Sequence, residues 1–273
     1  MSGANGRGPE SGPADGPIGD PAGVADGRPM GGLAGDPLGG PAGRGVPAGS
    51  SEPTRPPVGA AVPGGSVFLE ALGADAARLH PEVRRYAAGT GVFGGAVAVD
   101  GVFEVAGSRF RRLNLLARPL VGPNLFVTAF GRNVPFTVVN TVSWEAGAGL
   151  GLAAERVFEF RSGKQRFVDV LLPGDRPGTL RNRLGTARRV ELELRVSVTE
   201  AGHLRLVSER AWLRLGRVRL RLPALLSVRA DVVDGYDDAA QRNTVSARVR
   251  SPLFGTVLEY RGYFRHRPVK QQG

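Results

Sequence analysis

His80, His203 and His266 are the only histidines of this chain, and it contains no cysteine. Without cysteine there are no thiol nucleophiles, disulfides or thiolate metal ligands. The histidines fall at a helix break, a hairpin turn and a strand end. They lack the i, i+4 spacing and acidic neighbours of a ligand set, so no metal centre is expected. A Ser-His-Asp triad assembles in space and spacing does not exclude it, but no nucleophile elbow marks one. Glu155 with Glu159, and Glu191 with Glu193, share strand faces, as acid–base work by two carboxylates would require. On alternating strands such faces are usually the wet side, and that is the expectation here. Asp231, Asp234, Asp237 and Asp238 crowd Gly235-Tyr236 without the ligand order or closing Glu of a calcium loop, and read as a hydrophilic turn. Gly91, Gly94 and Gly95 follow a helix and open a strand, the reverse of a phosphate-cradling loop. No catalytic residue and no cofactor emerge.

Two groups of residues have geometry for binding. Arg217, Arg219 and Arg221, with Arg214 upstream, put three guanidiniums on one strand face. They suit phosphate or carboxylate groups, or else lie over acidic neighbours on adjacent strands. Trp212, Tyr236, Tyr260 and Phe264 are large aromatics on strands, as is Trp144. They belong to a core, or line a cavity if the sheet closes around a space.

The elements that position these residues are mostly strands. Residues 251–265 carry the clearest closing pattern: Leu258, Tyr260, Gly262 and Phe264 share one face, and Glu259, Arg261 and Tyr263 the other. Gly262 leaves a gap in the inward row for a close neighbour. Val190, Leu192, Leu194, Val196 and Val198 alternate with polar residues, and a turn at Glu200-Ala201-Gly202 returns the chain through 204–215, with a bulge near Ser208. Further strands are expected over 92–106, with Asp100-Gly101 a turn or bulge, and over 125–130, 136–144, 154–160, 166–172, 217–222, 228–236 and 243–250. Two short helical pieces precede them. Ser66 caps a stripe of Leu69, Leu72, Ala76, Leu79 and Val83, and Pro81 restarts the helix after His80. A further short helix is expected after Ser108. No crossover has βαβ length, so the fold class is mainly β: a curved antiparallel sheet or partly closed β-barrel of about ten strands. The early helices are expected to cover one opening.

Residues 1–65 hold 19 of the 41 Gly and 12 of the 21 Pro and read as a disordered tail before a single domain at 66–273. The chain carries a formal +11, and the tail's four Arg against six acidic residues leave about +13 on the remainder. Lysine occurs only at Lys164 and Lys270, the arginine-for-lysine bias of a GC-rich coding sequence, and the arginines spread over strand faces. That spread speaks against nucleic acid as the partner. No apolar stretch reaches the length of a membrane span and no leader pattern opens the chain, so a cytoplasmic protein is expected.

Several stretches together resemble a bacterial domain family of unknown function, DUF4166. They are Leu79-His80-Pro81-Glu82-Val83-Arg84-Arg85, Trp144 with the run 155–162, the segment 217–223 ending in Leu-Pro, and the closing Pro-Leu … Tyr-x-Gly-x-Phe of 251–264. The resemblance covers about residues 75–266. The family's Trp usually lies closer to its Arg-x-Phe, whereas here a Gly-rich insertion at 146–154 intervenes. The resemblance supplies no activity. It implies an accessory role beside a saccharopine-dehydrogenase-type NAD(P)-dependent oxidoreductase, to which some members are fused. Strand pattern, aromatic rows and resemblance give a first expectation: a non-enzymatic domain holding an apolar or amphipathic small molecule, contacted by Trp212, Tyr236, Tyr260 and Phe264. Docking onto an oxidoreductase partner is the alternative. Attraction of an anionic membrane or nucleic acid to Arg-rich faces, with Arg217, Arg219 and Arg221 as an anion site, is the third.

Overall fold

Rows of alternating apolar residues turn ten strands around a common axis. In this computed structural model the described residues are 54–62, 66–108, 123–125, 127–146, 148–253 and 255–267. β1 (Ala96–Gly107), β2 (Phe130–Glu145), β3 (Gly149–Phe160), β4 (Gly163–Pro173), β5 (Thr179–Leu184) and β6 (Val190–Val198) pair antiparallel in chain order. β7 (Leu204–Leu215) pairs with β6, and then come β9 (Arg229–Asp237), β10 (Arg242–Ser251) and β11 (Gly255–Arg267). β11 pairs with β1 and closes the ring. The short β8 (Val218–Arg221) folds back on the far half of β7 and is not part of that ring. The fold is therefore a closed antiparallel barrel of 10 strands, which leaves no long edge to pair with another chain.

The helical pieces sit at the end where the turns after β2, β4, β6 and β9 gather. Ser66 Oγ accepts the Leu69 N–H at 3.2 Å and caps α1 (Val67–Leu72). A 3₁₀ turn, Gly73–Arg78, leads to His80, whose Nδ1 accepts the Glu82 N–H at 3.2 Å and caps α2 (Pro81–Ala88). Leu72, Ala76, Leu79 and Val83 of the expected stripe are buried against Leu192, Leu194, Val196 and Leu204, with Phe68 added and Leu69 only half-buried. His80 locks this cap: its N–H donates to the Gly202 carbonyl at 2.9 Å, and its ring stacks on Tyr236 at 4.9 Å. The histidine at the helix break is a structural bridge. Residues 59–62 pair with 91–93 at the same end, and the short helix expected after Ser108 lies outside the described residues.

Close packing explains two glycines. A Cβ on Gly262 would lie 2.1 Å from the Val102 carbonyl oxygen, so the gap in the inward row is filled by the neighbouring backbone. At Gly101 a Cβ would meet the Phe136 ring at 2.7 Å and the Tyr263 carbonyl oxygen at 2.2 Å. Asp100 and Gly101 are thus regular members of the β1 ladder; the bulge falls later, at Glu104, between Phe103 and Val105. Gly101→Ala is expected to destabilise the fold by about 1–3 kcal/mol through overpacking, read as a lowered urea midpoint at unchanged slope. The bulge expected near Ser208 is present: Glu209 is the extra residue opposite Glu193 and Leu194.

Two segments differ from the pattern's prediction. Residues 125 and 127–129 are not in a strand; Gln165 Oε1 accepts the N–H groups of Thr128 and Ala129 at 2.8 and 3.2 Å in place of a neighbouring backbone. β5 was hidden by its composition, TLRNRL, in which only Leu180 and Leu184 mark the inward phase.

Candidate functional site

The barrel encloses a cavity of about 430 Å³. Ligand pockets occupy about 300–1,000 Å³, and the volume equals roughly fourteen liquid waters. Part of the interior is solid. Phe103 and Phe136 stack with centroids 3.7 Å apart, and Phe158 and Tyr260 pack against Phe103 at 5.2 and 4.9 Å, filling the β1–β3 and β11 side. The space remains between that aromatic block and the leucines of β6, β7 and the 222–228 loop, including Leu192, Leu213, Leu222 and Leu226. It is an apolar chamber with one wall of rings and one of branched aliphatics.

A small polar group interrupts the apolar wall. Arg156 on β3 forms an ion pair with Asp169 on β4, whose side chain is almost wholly buried. Asn140 on β2 donates to the Tyr86 hydroxyl at 3.1 Å, and Asp234 on β9 lines the same cavity. Register puts Asn140 opposite Ala154 and Ala154 opposite Asp169, so Asn140 and Asp169 lie at one level of the barrel. Burial pushes the Asp234 carboxyl up to about 6, only partly offset by the Arg156 charge. Burial also raises the Tyr86 hydroxyl well above its usual range, so it remains a neutral donor and acceptor. With Asp169 committed to Arg156, Asp234 is the carboxyl with no hydrogen bond or ion pair among the described residues, and its raised pKa puts its change between acid and carboxylate in the mildly acidic range. The group can hydrogen-bond a hydroxyl, amide or amine of a bound molecule.

On the outside of β5–β8 the carboxylates expected to be solvated are buried beneath arginines. Glu191 is 0% exposed, with Arg183 Nε at 3.1 Å and Arg214 Nη1 at 2.8 Å from one oxygen and Arg219 Nη2 at 2.7 Å from the other. Burial alone would raise its pKa; hydrogen bonds from Arg214 and Arg183 and the charge of Arg219 hold it below the ordinary carboxylate range. Glu193 is similarly covered by Arg176, whose Nε donates at 2.7 Å. Long arginine stems bury these charges while their heads reach water. The pair Glu155 and Glu159 does fit the wet-face expectation, meeting Arg166 and Lys164 at 2.6 Å each across β3 and β4.

The sequence-derived residues divide among three places. Tyr260 and Phe264 line the cavity. Tyr236 lies under the helical cap, stacked on His80. Trp212 does not line the cavity; it faces outward beside Leu213, and the Arg219 guanidinium lies 4.0 Å from its ring centroid. Arg219 is held by Glu191 and Trp212, whereas Arg217 and Arg221 are exposed and have no acidic partner among the described residues. The aspartates around Gly235 form no single turn. Asp231 faces out to Arg205 at 2.7 Å, Asp234 faces in, Asp237 ends β9, and the turn proper is 238–241. Arg156, Asp169 and Asn140 were not singled out in the sequence, and Asp234 was read only as part of a hydrophilic turn. Their signal was a polar residue in the apolar phase, as in Ala154, Arg156, Phe158, Phe160.

Among the described residues no three metal-ligating side chains cluster, and no helix is long and apolar enough to cross a membrane. Residues 79–264 match the family described as "Domain of unknown function (DUF4166)". The chain is 30% identical over 196 residues to the uncharacterized protein YndH of Bacillus subtilis (strain 168), covering 68% of this chain and 90% of that protein. The Gly-rich insertion after Trp144 is the β2–β3 turn and the start of β3, in which Trp144 pairs with Leu150. No solved structure matches.

Proposed function

We propose, for a chain that belongs to the DUF4166 family, that the barrel binds one amphipathic small molecule, its apolar body in the cavity and its polar end at the Arg156–Asp169–Asp234 group. The observation that carries this reading is the cavity itself. An interior of about eight strands is just wide enough for side chains to fill or for one small ligand, and this wider, ten-stranded ring leaves about 430 Å³ of apolar space beside a confined polar patch. An apolar space of that size, if left unfilled, would cost a domain stability. The polar groups favour a ligand end that donates hydrogen bonds and is neutral or cationic, since two carboxyls face one guanidinium there. No reaction is assigned, because no nucleophile–base pair accompanies the patch among the described residues.

Native mass spectrometry of the full chain purified from a bacterial host, followed by solvent extraction, tests the reading. A reproducible added mass that extracts into organic solvent is the expected result. A clean unliganded mass, together with no uptake of a fluorescent long-chain amphiphile, would overturn it and leave docking onto an oxidoreductase as the better account.

A further inference from the structure

At the barrel end opposite the helices, six large apolar side chains stand in solvent: Leu215, Val218, Leu220, Leu225, Leu226 and Leu253, each between 42% and 63% exposed. They come from three separate connections: the β7–β8 hairpin, the 222–228 loop and the β10–β11 turn. Among the described residues the only other large apolar side chain this exposed is Val58, on the segment that packs near Gly94 at the helical end. Leu226 also lines the cavity, so this rim borders the chamber. The charge here is one-sided. No acidic residue occurs from 210 to 230 or from 249 to 258. Along the wall Arg183, Arg214 and Arg219 meet Glu191, and Arg205 meets Asp231, but Arg217, Arg221, Arg229 and Arg250 have no carboxylate within 4.0 Å among the described residues.

We propose that this rim docks onto the surface of an anionic phospholipid bilayer, with the leucines entering the headgroup boundary and the unpaired arginines contacting phosphates. Apolar side chains flanked by arginine are what an interfacial anchor requires, buried apolar surface and attraction to anionic lipid acting together. A second copy of the chain does not fit. A two-fold contact would set this rim against itself, arginine facing arginine with no acidic residue to answer. The inference rests on exposed side chains and charge and stands apart from the occupancy of the cavity.

Flotation of the full chain with vesicles tests it. The chain is expected to float with phosphatidylcholine vesicles containing phosphatidylglycerol, at least tenfold better than with phosphatidylcholine alone, and to be released by high salt. Arg217→Gln with Arg221→Gln should weaken partition by about fivefold per charge removed. Leu225→Ser with Leu226→Ser and Leu253→Ser should abolish it, while Val58→Ser changes nothing; circular dichroism checks that each variant is folded. Absence of flotation, equal partition onto neutral and anionic vesicles, or rim variants that float like the parent would each overturn the proposal. A chain that retains an extractable ligand yet never floats would overturn the docking alone. One that floats but holds no ligand would overturn only the cavity reading.

Discussion

Ala154→Trp is expected to leave a folded barrel that no longer binds the amphiphile proposed for its cavity. Ala154 is 3% exposed, lines the cavity, and shares the inward face of β3 with Arg156. An indole projected there occupies the space beside the polar group, where the ligand's polar end is proposed to sit. The cavity of about 430 Å³ can accept the ring without displacing neighbours, so the usual overpacking cost is avoided. Titration with a fluorescent amphiphile should show at least a tenfold loss of affinity, about 1.4 kcal/mol or more. The melting temperature should stay within a few degrees of the parent. Unchanged affinity would place the ligand elsewhere or nowhere.

The second large effect is on stability. Glu191→Ala removes a carboxylate with no exposed surface and leaves Arg183, Arg214 and Arg219 facing one another without it. Breaking a buried ion pair from one side costs about 3–5 kcal/mol. Arg214 and Arg219 retain about a third of their side-chain surface and can turn to water, which puts the expected loss near the lower figure, about 3 kcal/mol. Urea denaturation reads it directly. The same carboxyl has a pH signature. Its folded value lies below the ordinary 4.5, so between the two the unfolded chain binds more protons. The stabilisation is present above about pH 4.5 and is lost as pH falls through the lower folded value. Glu191→Gln should therefore show a flatter decline in acid than the parent; an equally steep one would mean other carboxyls dominate that range.

Strands with one apolar row and one polar row were legible in the sequence because period-2 alternation survives wherever one face is buried. β6, β7 and β11 are of this kind, and Gly262 stood out as the single gap in an inward row. β5 was not legible. Its outward arginines, Arg181 and Arg183, dominate a six-residue element, and its inward row includes Asn182. The segment before β2 read as a strand from its apolar residues, but Asn124 has φ of 58° and Gln165 supplies the hydrogen bonds. The candidate site was half visible. Tyr260 and Phe264 lie in clean alternating rows, whereas Asp234 was masked by Asp231, Asp237 and Asp238, three acids that sit on other surfaces. Whether an acid faces in or out depends on its phase within the strand, and local crowding of charge obscures that phase. Glu191 and Glu193 were misjudged for a different reason: strand geometry gives their outward direction, but only the neighbouring strands show that arginine stems lie over them.

Pairing of β1 with β11 joins Ala98 to Arg267, a span of almost the whole domain. During synthesis the N-terminal strands leave the ribosome long before their closing partner exists. Meander neighbours such as β2 and β3 can zip locally, but the seam must wait for release of the last strand, and contacts of such sequence separation are slow to form. Until that moment the chain is an open sheet with two unsatisfied edges and an exposed apolar face, the state in which it is most prone to aggregate and in which no enclosed chamber exists to retain a guest. The enclosed chamber is therefore acquired in one step, when β11 pairs with β1, rather than assembled strand by strand.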